Sequence, residues 1–255
     1  MTIFGKTRDI SAFAARFAYN SFNKKISVII PALNEENTIA GVIRTARQNR
    51  NVDEVLIIDD MSTDRTAEIA VNLGAKVIQK TIRGKGSSMQ IGLNAAKNKI
   101  VVYLDADIEE YNKDIIGLLT RPIQKGKADF VKATFDRKAG RVTELVAKPL
   151  LGILFPEALK FSQPLSGMIA SKKPILEKAT FENDYGVDIG ILLDVIEIGA
   201  RAIEVNIGKI DHKMKPWEQL PKMAQEVSRA ILKRAGVVTD QFSEQRIREN
   251  INAAY

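Results

Sequence analysis

The sequence contains no cysteine and only one histidine among 255 residues. Without thiols there are no disulfides and no thiolate chemistry, and the cytoplasm is the expected compartment. No apolar run reaches the ~18–20 residues of a membrane span, so stable membrane insertion is not expected. Zinc-finger spacing, arginine-rich runs and aromatic RNA-binding motifs are all missing. The net charge of +7 comes from basic residues scattered through the chain, which points away from nucleic acid and towards anionic small substrates. The segment ISAFAARFAYNSF is apolar and aromatic, but Arg16 interrupts it and no signal-peptide layout follows. Its spacing suits a short amphipathic helix packed on its own domain or on a partner subunit, which admits a homodimer. A membrane-surface contact is the lesser alternative.

What is present is a hydrophobic content of 45% and an alternation of strand and helix patterns. KISVIIPALNEE carries a β-branched run closed by Pro31, a strand entering a loop, and Asn37 or Thr38 opens the helix IAGVIRTARQN. VDEVLIIDD is a second buried strand, ending in Asp59 and Asp60. STDRTAEIAVNLGA is a helix punctuated by Gly74. AKVIQK is a third strand, RGKGSSMQIGLNAAKNK a glycine loop leading into a helix, and IVVYLDAD a fourth strand. NKDIIGLLTRPIQKGK is a helix, starting near Asn112, and ADFVKATF a further strand. From about Gly140 the pattern is less regular. TELVAKPLLGILF is helical with a shortened turn near Pro149, and Thr143 is placed as its N-cap. GMIASKK is a short strand, YGVDIGILLDVIEIG an apolar helix, AIEVNIG the last strand and PKMAQEVSRAILKRAG the last helix.

Alternating strands and helices predict an α/β fold, a Rossmann-like and mainly parallel sheet flanked by helices on both faces. Ligands of such sheets gather at the carboxyl ends of the strands. Three polar clusters stand at such ends: Asn34-Glu35-Glu36, Asp59-Asp60 and Asp105-Asp107. The glycine loop is neither a P-loop, because Gln79 stands where the first glycine belongs, nor a dinucleotide fingerprint, because Met89 stands where the third belongs. It leaves Lys85 between two glycines at a helix start, suited to an anion or to a flexible turn.

PALNEE, IIDDMSTDRT, RGKG and YLDAD, in this order, resemble the nucleotide-sugar glycosyltransferases of the GT-A fold. GRVTELVAKPLL, QPLSGMIAS, YGVDIGILLDV and VNIGKIDHKMKPWEQL narrow the resemblance, over residues 26–235, to the glucosyl-3-phosphoglycerate synthase family. That resemblance implies a retaining enzyme that moves glucose from a UDP- or GDP-linked donor to the 2-hydroxyl of 3-phosphoglycerate, with Mg²⁺ or Mn²⁺. A mannosyl-3-phosphoglycerate synthase and a polyprenyl-phosphate glycosyltransferase are the alternatives.

The resemblance also implies roles. Pro31, Ala32, Leu33, Asn34 and Glu35 line the nucleotide pocket with Asp60, Lys85 meets the nucleotide or its phosphates, and Asp105 sits on the ribose side. Asp107 and His212 hold the metal. Gly140, Arg141, Val142 and Thr143 hold the acceptor, and Tyr185 and Asp188 face the donor sugar. Asp107, Asp188 and Arg141 are the catalytic candidates; by spacing alone, Asp188 could equally be an N-terminal charge on an apolar helix. Departures from the family pattern stand at Met168, Asp188 and Lys213-Met214. The expected organisation is an N-terminal helical segment (1–25), a nucleotide-sugar half (26–139), an acceptor half of the same domain (140–235) and a tail (236–255).

Overall fold

The computed structural model describes residues 25–136, 140–210 and 216–238. The N-terminal amphipathic segment, His212 and Lys213-Met214 lie outside the described residues. Seven strands form one sheet: β1 (Ile26–Ala32), β2 (Val52–Asp59), β3 (Lys76–Gln79), β4 (Ile100–Tyr103), β5 (Phe130–Thr134), β6 (Ile169–Lys172) and β7 (Ala202–Asn206). Their order is β3-β2-β1-β4-β6-β5-β7. All neighbours are parallel except β6, which runs antiparallel to both β4 and β5.

The near-continuous apolar runs follow from burial on both faces. Successive β1 side chains point to opposite sides, so Val28 and Ile30 join one core and Ile29 the other. Helices α1 (Ile39–Arg47), α2 (Thr66–Asn72) and α4 (Ile115–Gln124) cover the first face with Val42, Ile43, Ala70, Ile116 and Leu119. Helices α3 (Lys85–Ala95), α7 (Val187–Glu197) and α8 (Leu220–Arg234) cover the second with Met89, Leu93, Ile191, Val195 and Val227. Apart from Ala70, each of these side chains contributes about 1.5–3 kcal/mol when buried. No helix among the described residues is long and apolar enough to cross a membrane.

The structure corrects several boundaries. β4 ends at Tyr103, so Asp105 and Asp107 lie on the loop beyond it. Helix α4 begins at Ile115 rather than near Asn112, whose side chain instead accepts from the Asp114 N–H. Thr143 is no N-cap: the helix already turns at Arg141, and Thr143–Ala147 is a π-helical stretch. The turn near Pro149 is therefore widened rather than shortened, with Lys148 N–H donating five residues back to Thr143 O. Pro149 has no N–H for an i−4 bond, and the regular helix α5 (Lys148–Leu154) starts around it. Two short helical segments, Pro156–Lys160 and α6 (Lys173–Leu176), flank β6.

Candidate active site

Sheet register assembles the site. Ala32, Asp59 and Gln79 end β1, β2 and β3 at one level, so Leu33, Asp60 and Lys80 follow on a common edge. Tyr103 of β4 lies opposite Ile29, and Leu104 N–H still donates to Ile29 O (3.1 Å). Asp105 and Asp107 therefore emerge at the same edge. Because β6 is antiparallel, it brings its amino end there as well, with Ser166, Gly167 and Met168. These loops enclose a cavity of about 550 Å³.

The first half contributes Pro31, Ala32, Leu33, Glu35 and Asp60 to the lining, then Lys85, Asp105 and Asp107. The second half contributes Gly140, Thr143, Tyr185 and Asp188. Three of the anticipated residues are elsewhere. Asn34 is a turn residue (φ 58°) whose side chain accepts from Thr63 N–H at 2.8 Å and whose own N–H donates to Ser62 Oγ. Val142 is packed in the core beneath the π-helical stretch. Arg141 stacks its guanidinium over the Trp217 ring, 4.4 Å from the centroid, in an apolar groove that also includes Leu145.

Among the lining residues, Asp60 is closed into a network. Lys80 Nζ donates to Asp60 Oδ1 (2.6 Å), Gly84 O (2.8 Å), Ser87 Oγ (2.6 Å) and Ser88 Oγ (2.8 Å). Gly84 N–H donates to the same carboxylate. The two glycines around Lys85 are there for close approach. A Cβ on Gly84 would lie 2.5 Å from Asn183 O, and one on Gly86 would lie 1.6 Å from Glu182 O. The flexible-turn reading of this loop is thereby excluded; it is clamped between Asp60 and residues 182–183.

Next to this network, Lys85 Nζ donates to Asp188 Oδ2 (2.7 Å) and reaches Asp105 Oδ1 at 3.5 Å. Burial alone would lower the Lys85 pKa, but Asp188 and then Asp105 hold it above its ordinary value. Asp188 lies in the first turn of α7 and is 4% exposed. Its Oδ1 is the one buried side-chain nitrogen or oxygen among the described residues with no hydrogen-bond partner. Gly167 lets the β6 entry lie against this group, since a Cβ there would be 2.5 Å from Asp105 Oδ1 and 2.7 Å from Lys85 Nζ. The loop after β4 is pinned by Tyr111, whose hydroxyl donates to Asp105 O (2.9 Å).

Carboxylates crowd the middle of the cavity. Burial, and next the charge on Asp107, push Glu35 up to about 7, with Asp64 and Asp105 adding and a hydrogen bond from Thr38 opposing. Such crowding is the environment a divalent cation relieves, and hard oxygen donors suit Mg²⁺ or Mn²⁺. Among the described residues no group of three or more His, Asp or Glu side chains has metal-site geometry; the histidine anticipated beside Asp107 lies outside them.

Sequence reasoning missed four contributors. Lys80 directly follows β3 beside the end of β2, a position the parallel register would have flagged. Lys132 is a charge inside the buried run FVKAT. Gln163 and, on α8, Glu226 line the cavity itself, whereas Lys80 and Lys132 stand behind its wall. Glu226 falls on the apolar face of its helix between Met223 and Ala230; burial and then Asp184 raise its pKa, while the Tyr185 N–H donates to it at 3.2 Å.

Residues 27–175 match the model of glycosyl transferase family 2. The glucosyl-3-phosphoglycerate synthase of Petrotoga mobilis is 36% identical over 237 residues, covering 82% of this chain and 73% of that one. The enzyme of the same name from Mycobacterium tuberculosis is 35% identical over 241 residues, covering 84% of this chain and 74% of its own. A crystal structure of the latter with Mn²⁺, uridine-diphosphate-glucose and phosphoglyceric acid superposes with a TM-score of 0.82 at 34% identity, over 87% of this chain and 83% of that one. The chain belongs to glycosyl transferase family 2: it is a glycosyltransferase of the GT-A fold. Within that class it belongs to the glucosyl-3-phosphoglycerate synthase family.

Proposed function

We propose that the protein transfers glucose from UDP-glucose to the 2-hydroxyl of 3-phosphoglycerate with retention of configuration, using Mg²⁺ or Mn²⁺. The observation that carries this reading is one cavity that joins the β1, β2 and β4 loop ends to Gly140, Thr143, Tyr185 and Asp188. The similarity to the named synthases over about three quarters of their length supports it.

In this reading the 26–139 half holds the donor and the 140–235 half the acceptor. Pro31–Leu33 and Glu35 flank the nucleotide with Asp60, and Asp105 faces the ribose. Lys85 lies beside the diphosphate. Asp107 and His212 hold the cation, which supplies charge neutralisation at the diphosphate. Asp188 accepts from donor-sugar hydroxyls through its free Oδ1, and Tyr185 borders the same sugar. Gly140 and Thr143 meet the acceptor; Arg141 reaches the acceptor's anionic groups by leaving its stack on Trp217. The 2-hydroxyl oxygen bonds to the anomeric carbon on the face from which the diphosphate departs, the anomeric C–O bond breaks, and the hydroxyl proton passes to a diphosphate oxygen. No side chain is needed as a nucleophile.

A donor–acceptor matrix tests this reading: UDP- and GDP-linked glucose and mannose against 3-phosphoglycerate, glycerol 3-phosphate and a polyprenyl phosphate. Turnover is expected with UDP-glucose and 3-phosphoglycerate, lost on chelation and in Asp107→Ala. A preference for the mannose donors or for the lipid acceptor would replace it.

A further inference from the structure

Lys132 sits at the centre of β5, between Val131 and Ala133, and is 1% exposed. Its backbone pairs with Ile169 of β6 on one side and Glu204 of β7 on the other. It does not line the cavity. Its ammonium instead donates to the main-chain carbonyl of Asp188 at 3.1 Å. The carboxylate of that same residue takes Lys85 on Oδ2 and leaves Oδ1 without a partner. Two ammonium groups thus hold one residue from two directions, by its backbone from the sheet and by its side chain from α3.

A buried lysine at this place is costly. The neighbouring strand positions are aliphatic, and a methionine of similar volume would fill the space without desolvating a charge. The charged groups facing Lys132 are Asp188 on α7, Lys85 on α3, Asp105 after β4 and Glu204 on β7. Burial pushes its ammonium down to about 8, Asp188 opposes that, and Lys85 adds to it. A group kept in such surroundings contributes something that packing alone does not need.

We propose that Lys132 is a positioning residue for glycosyl transfer. It ties the first turn of α7 to the middle of the sheet and so sets where the free Asp188 oxygen stands in the cavity. The inference rests on the proposed role of Asp188 towards the donor sugar.

Lys132→Met tests it. Thermal unfolding is expected at an unchanged or higher temperature, with kcat reduced about tenfold or more, as for a reacting group displaced by a fraction of an ångström. UDP affinity, measured by calorimetry, stays at the wild-type value because the Asp60 network does not touch Lys132, whereas the advantage of UDP-glucose over UDP shrinks. In an Asp188→Ala background the same substitution changes kcat no further. Wild-type kcat in Lys132→Met, or losses that add in the double variant, would overturn the proposal. So would a lowered unfolding temperature with kcat retained in the folded fraction. Should Lys132→Met not fold, Lys132→Gln, whose donor falls short of the Asp188 carbonyl by about one bond, is expected to lower kcat about tenfold in a folded protein; wild-type kcat there counts against it. If the wild-type enzyme transfers no sugar at all, the proposed function fails, while the UDP against UDP-glucose comparison still decides the role of Lys132.

Discussion

Two lysine–aspartate pairs, their lysines five residues apart between β3 and the start of α3, border the cavity and are built differently. Lys80 has four acceptors within 2.8 Å and Asp60 takes bonds from Lys80, Gly84 and Ser88. Lys85 bridges Asp188 and Asp105 less evenly, at 2.7 and 3.5 Å, and Asp188 keeps one buried oxygen unbonded. The first pair is complete in the protein alone and shapes a wall. The second is incomplete without a further hydrogen-bond donor, which is the mark of a site built around a ligand.

Lys85→Met should separate the two most sharply. It leaves Asp188 buried without its counter-charge, so a stability loss of about 3–5 kcal/mol is expected in urea unfolding. A fall in kcat of about 100-fold or more accompanies it in the folded fraction. Lys80→Met is expected to cost about 3 kcal/mol, since Asp60 retains its bonds from Gly84 and Ser88. Its kinetic effect should be confined to a higher donor KM, with kcat within about threefold. If Lys80→Met lowered kcat as Lys85→Met does, the distinction between wall and ligand site would collapse.

Arg141 and Trp217 sharpen the comparison on the acceptor side. Trp217→Ala removes a stacking contact worth about 1 kcal/mol and, in the proposed role of Arg141, should lower the acceptor KM by removing the ring that holds the guanidinium away. Arg141→Ala should raise the acceptor KM several-fold while sparing the donor KM. A wild-type complex with 3-phosphoglycerate in which Arg141 still lies on Trp217 would remove it from the acceptor site.

Glu35 gives a pH-dependent effect. Its carboxyl titrates near 7 in the fold against an ordinary 4.5. Between those values the folded state holds the extra proton, so the stability it contributes is present below about pH 4.5 and lost as pH rises to about 7. With a chelator present, wild-type stability should therefore decline across that window relative to Glu35→Gln; parallel profiles would remove the shift.

Legibility in the sequence followed the same divide. The β1–β4 half was readable because its strands are apolar runs closed by polar residues and because Gly74, at φ 74°, marks the end of α2. What could not be read were features set by distant partners. The antiparallel direction of β6 is invisible in IASK. The widened turn at Thr143–Ala147 depends on how the helix meets Pro149 and the core. The pairing of Lys85 with Asp188, 103 residues away, belongs to the fold and not to any local spacing. Arg141 was a reasonable anion-binding candidate by position, yet its contact in the structure is decided by Trp217, 76 residues on.

The strand order has a consequence for how the chain assembles. β5 has no place beside β4; the gap between them is filled by β6, which is synthesised some 35 residues later. Until Ile169–Lys172 is in place, β4 presents an open edge and β5 has nothing to dock on, and β7 follows later still. The β1–β4 half can therefore complete its local pairings early, whereas the cavity-lining residues of the second half come into place only when one four-residue strand is inserted. Such a non-local step is slow. Weakening the centre of β6 should stall the chain with the β1–β4 edge formed and the second half of the cavity missing; if the proposed roles hold, stopped-flow refolding in the presence of UDP would show early nucleotide binding followed by late recovery of transfer.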